Sequence, residues 1–470
     1  MNRRERKYPM QQGDRKVLIA AMVTSFMTTF MSSALNLSIP ALESYFGVSA
    51  AAIGWVVSAY TISVAAMSLP FGKIADVTDR RKVFLTGIAG FCILSFLSIF
   101  SPHIGVLIAL RAMAGACGAM IFATNNALLI TSYPHEVQGK MIGYSTAATY
   151  IGLTAGPVVG GILNSTLGWR SIFAVSVLVS IIAFTAAFRA AVSEKKSGKI
   201  TRGEIPSGGF DTEGTILYIA AIITSLYGMS RLGSGAIPAI LLVAGIICFV
   251  LFFMHESRTA SPIMRVSMFT RSRTFTFSNL AALLNYGATF AISYTVSIFL
   301  QVILGMPSGK AGLLLITMPA IQALFSPLMG SLSDKIRPSL LASAGMGLCA
   351  VTLILFSRLD QDTSIAYIMC SLCLTGLGFA LFSSPNTNAI LSCVDKSDYS
   401  VANSIVATMR TYGQSSGMAI LSVITAAVLG SASLESSPAE DIIHMMNISF
   451  LVFAVLCLIG LFFSLARDHS

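Results

Sequence analysis

The chain has 470 residues, 55% of them hydrophobic and only 11% charged, with a mean hydropathy of +0.78. That apolar content far exceeds what a soluble core needs and the charge falls well below the usual quarter, so a soluble domain is excluded. The formal charge of +10 has no basic patch interleaved with aromatics behind it, so nucleic acid is excluded as a partner and the charge is read as a topology signal.

About 20 residues of helix cross a hydrocarbon core roughly 30 Å thick, and only helices or closed barrels satisfy their backbone there. The apolar runs are continuous rather than alternating, which predicts an all-α integral membrane protein. Fourteen runs follow in chain order: 17–40, 51–71, 83–100, 104–130, 141–163, 171–191, 214–229, 237–254, 275–304, 312–332, 339–356, 365–383, 401–429 and 443–466. The seventh is the shortest. Three regions result: a first six-helix bundle over 1–190, a polar loop with two inserted helices over 191–270, and a second six-helix bundle over 271–470.

The basic residues orient the runs. With the N-terminus in the cytoplasm, inward segments hold 24 of the 30 Lys and Arg, among them Arg3, Arg4, Arg6, Lys7, Lys73, Arg80, Arg81, Lys82, Lys199 and Arg202. Outward segments hold Arg170, Arg231, Lys310 and Arg358. Lys and Arg collect on the cytoplasmic side, which predicts a multi-pass protein of the cell membrane with both termini inside. The first run is too long for a signal peptide and lacks a small-residue cleavage site. Eight cysteines lie in or near apolar runs, and Cys370 and Cys373, though at redox spacing, read as small hydrophobes.

Between the second and third runs lies Gly72-Lys73-Ile74-Ala75-Asp76-Val77-Thr78-Asp79-Arg80-Arg81-Lys82, and a shorter copy, Gly330-Ser331-Leu332-Ser333-Asp334-Lys335, returns after the tenth. Asn126-Ala127-Leu128-Leu129 is matched by Asn388-Ala389-Ile390-Leu391, and Gly152 with Gly156 by Gly413 with Gly417. These pairs share an offset near 260, the mark of an internal duplication. In the fifth run, Gly152, Gly156, Gly160 and Gly161 with Pro157 give a smooth ridge that admits a close helix and a bend. In the fourth, Arg111 precedes Gly115 and Gly118, and a buried Arg must face protein or a water-filled cavity.

These motifs resemble those of the major facilitator superfamily, in particular its 14-helix drug:proton antiporter branch. The resemblance covers nearly the whole chain and implies two pseudo-symmetric six-helix bundles plus two extra helices, with a substrate site at the midplane between the bundles. It implies that Gly72, Asp76, Arg80, Arg81, Gly330 and Asp334 form a gating loop and its echo, that the glycine and Pro157 motif is an interface about which the halves rock, and that Arg111 serves proton transfer. The loop departs from the family pattern at Val77 and at Asp79, which stands where glycine is usual; Asp tolerates a left-handed turn better than most residues. Asp76 and Asp211 are further candidates for ion coupling. Asn36, Asn126, Asn285, Tyr286, Tyr294, Asn388, Arg410 and Gln414 are candidates for the cavity wall.

None of the 20 acidic residues falls securely inside a run, and Met31 stands where cation exporters of this branch carry an aspartate. Two buried Arg, 111 and 410, without a buried acid predict a cavity that repels cations and accepts neutral, zwitterionic or anionic solutes. Arg does not exchange its proton, so proton coupling lacks an evident carrier. The expected function is secondary-active export of small amphiphilic or hydrophobic compounds by alternating access, with protons as possible partners. A proton-independent uniporter or exchanger on the same fold is the alternative, and a non-transporting membrane sensor a third. With no P-loop and no metal-ligand spacing, an enzyme is not expected, nor is a cofactor; the chain is read as a monomer in the bilayer.

Overall fold

The computed structural model describes residues 12–36, 38–48, 50–196, 210–232, 235–430 and 438–467. Fourteen long helices carry the fold: α1 Gln12–Asn36, α2 Ala50–Val77, α3 Arg80–Ile99, α4 Ile104–Ser132, α5 Gln138–Leu167, α6 Arg170–Lys196, α7 Thr212–Ser230, α8 Ala236–Glu256, α9 Arg273–Ile298, α10 Thr317–Ser333, α11 Pro338–Phe356, α12 Ile365–Ser392, α13 Tyr399–Leu429 and α14 Ala439–Ala466. The basic residues Arg3, Arg4, Arg6, Lys7, Lys199 and Arg202 lie outside the described residues. Many buried hydroxyls return their hydrogens to the preceding turn, as Thr24 does to the Ala20 carbonyl at 2.9 Å and Thr375 to Ser371 at 2.8 Å, so these donors are paired at membrane depth.

Thirteen stretches among the described residues are long and apolar enough to cross a membrane. The sequence predicts fourteen, and the difference is α7, whose 19 residues include Glu213, Tyr218 and Tyr227. α7 nevertheless lies along α8 from end to end. Gly214 at its start meets Glu256 at the end of α8, and Gly228 near its end meets Pro238 and Leu242 near the start of α8. Because α8 is one of the thirteen, its antiparallel partner sits at the same depth. Ile237, Ile240, Val243, Ile247 and Val250 of α8 are all more than half exposed, the aliphatic face of a helix turned to lipid.

The duplication read from the sequence is a packing symmetry. In the first half α1 and α5 run side by side, Ser25 bonding Ser145 at 2.9 Å, Thr29 the Thr149 carbonyl at 2.9 Å and Ser33 the Leu153 carbonyl at 3.1 Å. In the second half α9 and α13 repeat the pairing at Gly287, Gly413 and Gly417. Each half has its own apolar core. A third core, with Ala65, Leu69, Tyr218, Ile222, Phe252, Ile405 and Val406, seats the α7–α8 hairpin over the seam between α2 and α13.

Contacts between the halves crowd toward one face, where α2, α4, α10 and α12 end and α5 and α13 begin. The first described helix starts on this face, since α1 runs parallel to α5. The last ends there too: Arg467, after α14, bonds Ser278 at the start of α9 and the Ser339 carbonyl at the start of α11.

Candidate functional site

The segments expected to form the gate carry two carboxylates that cap helices of the opposite half. Asp76, on the last turn of α2, accepts from Ser400 N at 3.1 Å and Val401 N at 2.9 Å, the first free amides of α13. Arg80 clamps the same place: its Nε donates to Asp76 at 2.8 Å and to Ser400 Oγ at 3.0 Å, and its Nη2 to the Lys396 carbonyl. Asp334, after α10, accepts from Gly139 N at 2.7 Å and Lys140 N at 2.9 Å at the start of α5. Glycine lets the backbones meet. A side chain on Gly72 would come within 2.9 Å of the Ser400 carbonyl, and one on Gly139 within 2.5 Å of the Gly330 carbonyl. Arg81 donates its backbone N–H to Asp79, which caps α3. Asp79 has φ −139°, extended and not left-handed, so the departure from glycine is accommodated by a helix cap rather than a tight turn.

Above the gate the halves are joined by Asn126 Nδ2 donating to Asn403 Oδ1 at 3.0 Å, by Asn403 Nδ2 donating to the Phe122 carbonyl, and by Ser404 donating to the Ser68 carbonyl at 2.7 Å. Tyr218 of α7 spans the seam: its hydroxyl lies 3.1 Å from the Ala65 carbonyl of one half and 2.8 Å from Thr408 Oγ1 of the other.

At mid-depth, past this seal, lies a group of aromatic and basic side chains drawn from both halves. Tyr286 of α9 and Tyr150 of α5 both set their rings edge-on to Phe379 of α12, with centroids 5.3 and 5.9 Å away. Tyr286 lies 3.4 Å from Ser383. The Arg410 guanidinium stands 5.9 Å from the Tyr286 ring centre and is half-buried, without a hydrogen-bonded acceptor among the described residues. Tyr60 of α2 lies under Arg111. Arg111 is 2% exposed; its guanidinium covers the Tyr60 ring at 4.3 Å, its Nε donates to the Val56 carbonyl at 3.2 Å, and its Nη2 has no partner. Arg111 stands on the Tyr60 ring and Arg410 by the Tyr286 ring, and no carboxylate pairs with either among the described residues.

The remaining predicted residues scatter. Gln414 lies one turn beyond Arg410, half-buried and on the same face of α13. Tyr294 is two turns beyond Tyr286 on α9 and 48% exposed, toward the end of α9 away from the gate. Asn126 is engaged in the cross-half bond. Asn388 donates to Ser333 at 3.1 Å inside the second half, and Asn285 turns to Cys457 there, fully buried, so neither reaches the space between the halves. The Asn36 side chain lies outside the described residues. Met31 is turned to Ser176 of α6.

The glycine motif also differs from expectation. Gly152, Gly156 and Gly160 pack on Phe26, Ser33 and Ala34 of α1, within one half, and Gly161 beside them is half-buried. α5 meets the other half through Gly139 and Gly143 instead, and Pro157 lies within the stretch that packs on α1. The acids expected at helix edges are there, but buried: the side chains of Asp76 and Asp211 are 3% and 5% exposed, and Glu256 is 3% exposed. Arg467, not among the predicted site residues, is 1% exposed and ties four helices. Its place at the very end of an apolar run gave no signal of burial.

A family model described as Major Facilitator Superfamily matches residues 21–254 and 278–470. The chain belongs to this superfamily. It is a multi-pass membrane transporter rather than an enzyme. Riboflavin transporter RibZ of Clostridioides difficile (strain 630) is 29% identical over 458 residues, covering 97% of this chain and 98% of its own. Multidrug resistance protein Stp of Mycobacterium tuberculosis is 28% identical over 428 residues, covering 89% and 77%. Among solved structures the proton:xylose symporter XylE shares the superfamily fold with a TM-score of 0.68 at 14% identity, over 97% of this chain and 96% of its own.

Proposed function

We propose that this transporter exports small amphiphilic solutes across the cell membrane by alternating access, with the gate face in the cytoplasm and the central aromatic and basic group as the solute site. The observation that carries the reading is the pairing of a sealed gate face with a mid-depth site built from both halves. Tyr60, Tyr150, Tyr286 and Phe379 offer ring faces and edges, while Arg410 offers a charge held by no acid. Together they suit flat solutes that are neutral or anionic, since a permanent cation would meet Arg410 and Arg111 without a counter-charge. The excess of Lys and Arg on the gate face supports its cytoplasmic placement, with both termini inside. The named drug-resistance relative supports export, and the named riboflavin transporter supports a solute of modest size and mixed polarity.

Proton drive belongs to the proposal as the energy source, since about 100 mV acting on one charge supplies roughly 2.3 kcal/mol. Proton-independent exchange is the second reading, favoured by the lack of a carboxylate in the central group. Reconstituted protein tests both. Uptake of a charge-sorted solute panel into vesicles, with and without a pH gradient, should favour neutral and anionic members and rise with the gradient. Preference for a quaternary ammonium would defeat the site assignment, and uptake indifferent to the gradient would select the exchanger.

A further inference from the structure

We propose that Glu256 and Asp211 form a proton-binding carboxyl pair at the base of the α7–α8 hairpin, loaded through His255, and that its protonation holds the Asp76 gate closed. The proposal goes beyond the exporter reading and needs no proton to cross the membrane.

Glu256 closes α8 and is 3% exposed. Its Oε2 accepts from Met264 N at 2.9 Å, while its Oε1 has no hydrogen-bond partner. That orphan oxygen is aimed at Asp211. Both Glu256 Oε1 and Asp211 Oδ2 crowd the bare Cα of Gly214, where an added Cβ would meet each of them closer than 3.0 Å. Glycine at 214 is therefore what allows the two carboxylates to face each other. Asp211 is already an acceptor: Gly214 N donates to its Oδ1 at 2.9 Å, and His255 Nε2 lies 3.0 and 3.1 Å from its two oxygens.

Two ionised carboxylates cannot share so small a buried space without strong repulsion, and one proton between them relieves it. A hydroxyl at Glu256 Oε1 donating to Asp211 Oδ2 also supplies the missing partner. His255, with a side chain 25% exposed, connects the pair to water. It takes a proton from solvent, passes its Nε2 proton to Asp211, and Asp211 passes it to Glu256. The pair goes from two negative charges to one, and His255 ends neutral.

The pair is wired to the gate. The chain after Glu256 is pinned by the Met264 bond, and Arg265 next to it forms an ion pair with Asp398 at 3.4 Å. Asp398 immediately precedes α13, whose first amides Asp76 caps. Lys73, one turn before Asp76, lies in the combined field of Asp398, Arg265, Asp76 and Glu256. Of the other charges around the pair, Glu213 is 85% exposed and 4.0 Å from His255, and Arg258 is exposed. Protonation of Glu256 removes a carboxylate charge beside the Met264–Arg265 stretch, which leaves Arg265 to Asp398 and so favours the start of α13 against Asp76.

The test uses the full chain without solute. Infrared difference spectra between acid and alkaline buffers should contain a buried carboxylic-acid band that Glu256→Gln removes. Spin labels at positions 78 and 397, both exposed across the gate, should report a closed population that grows in acid, by up to about tenfold in the closed-to-open ratio. Glu256→Gln should hold the acid value at every pH. A band and a pH response unchanged in Glu256→Gln would overturn the proposal. If that variant does not fold, Asp211→Asn decides: loss of the response supports the pair, and retention overturns it. Since no transport is measured, failure here leaves the exporter reading intact, and failure of transport leaves this result standing.

Discussion

Asp76 and Asp334 are counterparts: each ends a helix of one half and accepts two successive backbone amides at the start of a helix in the other, Ser400 and Val401 for the first, Gly139 and Lys140 for the second. The gate is thereby a pair of reciprocal helix caps. Loss of a cap costs ~0.5–2 kcal/mol, so Asp76→Ala and Asp334→Ala should each open the gate several-fold, and the double variant should open it further. Accessibility of a single cysteine at position 400 to a membrane-impermeant reagent, added on the gate side, measures this. Equal labelling in parent and double variant would contradict it.

Asp334 lies just outside the membrane-spanning stretch, and burial pushes its carboxyl above the ordinary value against the pull of the Lys140 and Gly139 amides and of the His135 and Lys140 charges. The folded form then holds this proton more tightly than the unfolded chain. Its contribution to stability is full below the ordinary Asp value and is lost as pH rises through the raised one. The melting temperature of the parent relative to Asp334→Asn should therefore rise as pH falls through that window. A difference independent of pH would show that the carboxyl does not titrate there.

Gly156 and Gly417 hold equivalent positions in the two halves. A Cβ on Gly156 would come within 2.6 Å of Ser33 Cβ, and one on Gly417 within 3.0 Å of the Gly287 carbonyl carbon. Substitution by Ala in either is expected to destabilise by ~1–3 kcal/mol through overpacking, with Gly161→Ala much milder. Thermal unfolding of the detergent-solubilised variants checks the order. If Gly161→Ala is as damaging as Gly156→Ala, the ridge does not lie where the packing places it.

The apolar runs, the basic loops and the repeat at an offset near 260 were legible because each depends on local composition or on comparison of the chain with itself. The short α7 was the weak point, and the structure explains it: Tyr218 spans the seam and Tyr227 stacks on Trp55 of α2, so it needs less lipid-facing apolar surface than α8. The site was legible in part. Asp76 and Asp334 both meet the opposite half, but Asn126, Asn285 and Asn388 are engaged in helix contacts that no periodicity distinguishes from a cavity wall. The burial of Glu256 was not legible because it depends on the chain at 257–266 folding back to place Met264 N on it, a non-local event.

Arg410 and Arg111 should separate function from stability. Arg410 is half-buried without a hydrogen-bonded acceptor, so Arg410→Ala should leave the melting temperature nearly unchanged while weakening solute binding. Arg111 stacks on Tyr60 and bonds the Val56 carbonyl, so Arg111→Ala should lower both, and Arg111→Lys should not restore the stacking. Binding and melting measured on the same preparations check this. A large stability loss in Arg410→Ala would remove it from the solute site.

The central claim is that the two halves open one face as they close the other around the Arg410 group. Two label pairs test it most directly: positions 78 and 397 across the gate, and positions 166 and 361 across the opposite face, all exposed and introduced in a background lacking the eight cysteines. Distances measured in lipid with and without solute should change reciprocally, one pair lengthening as the other shortens. Two distances that stay fixed under every condition, or that lengthen together, would contradict the account.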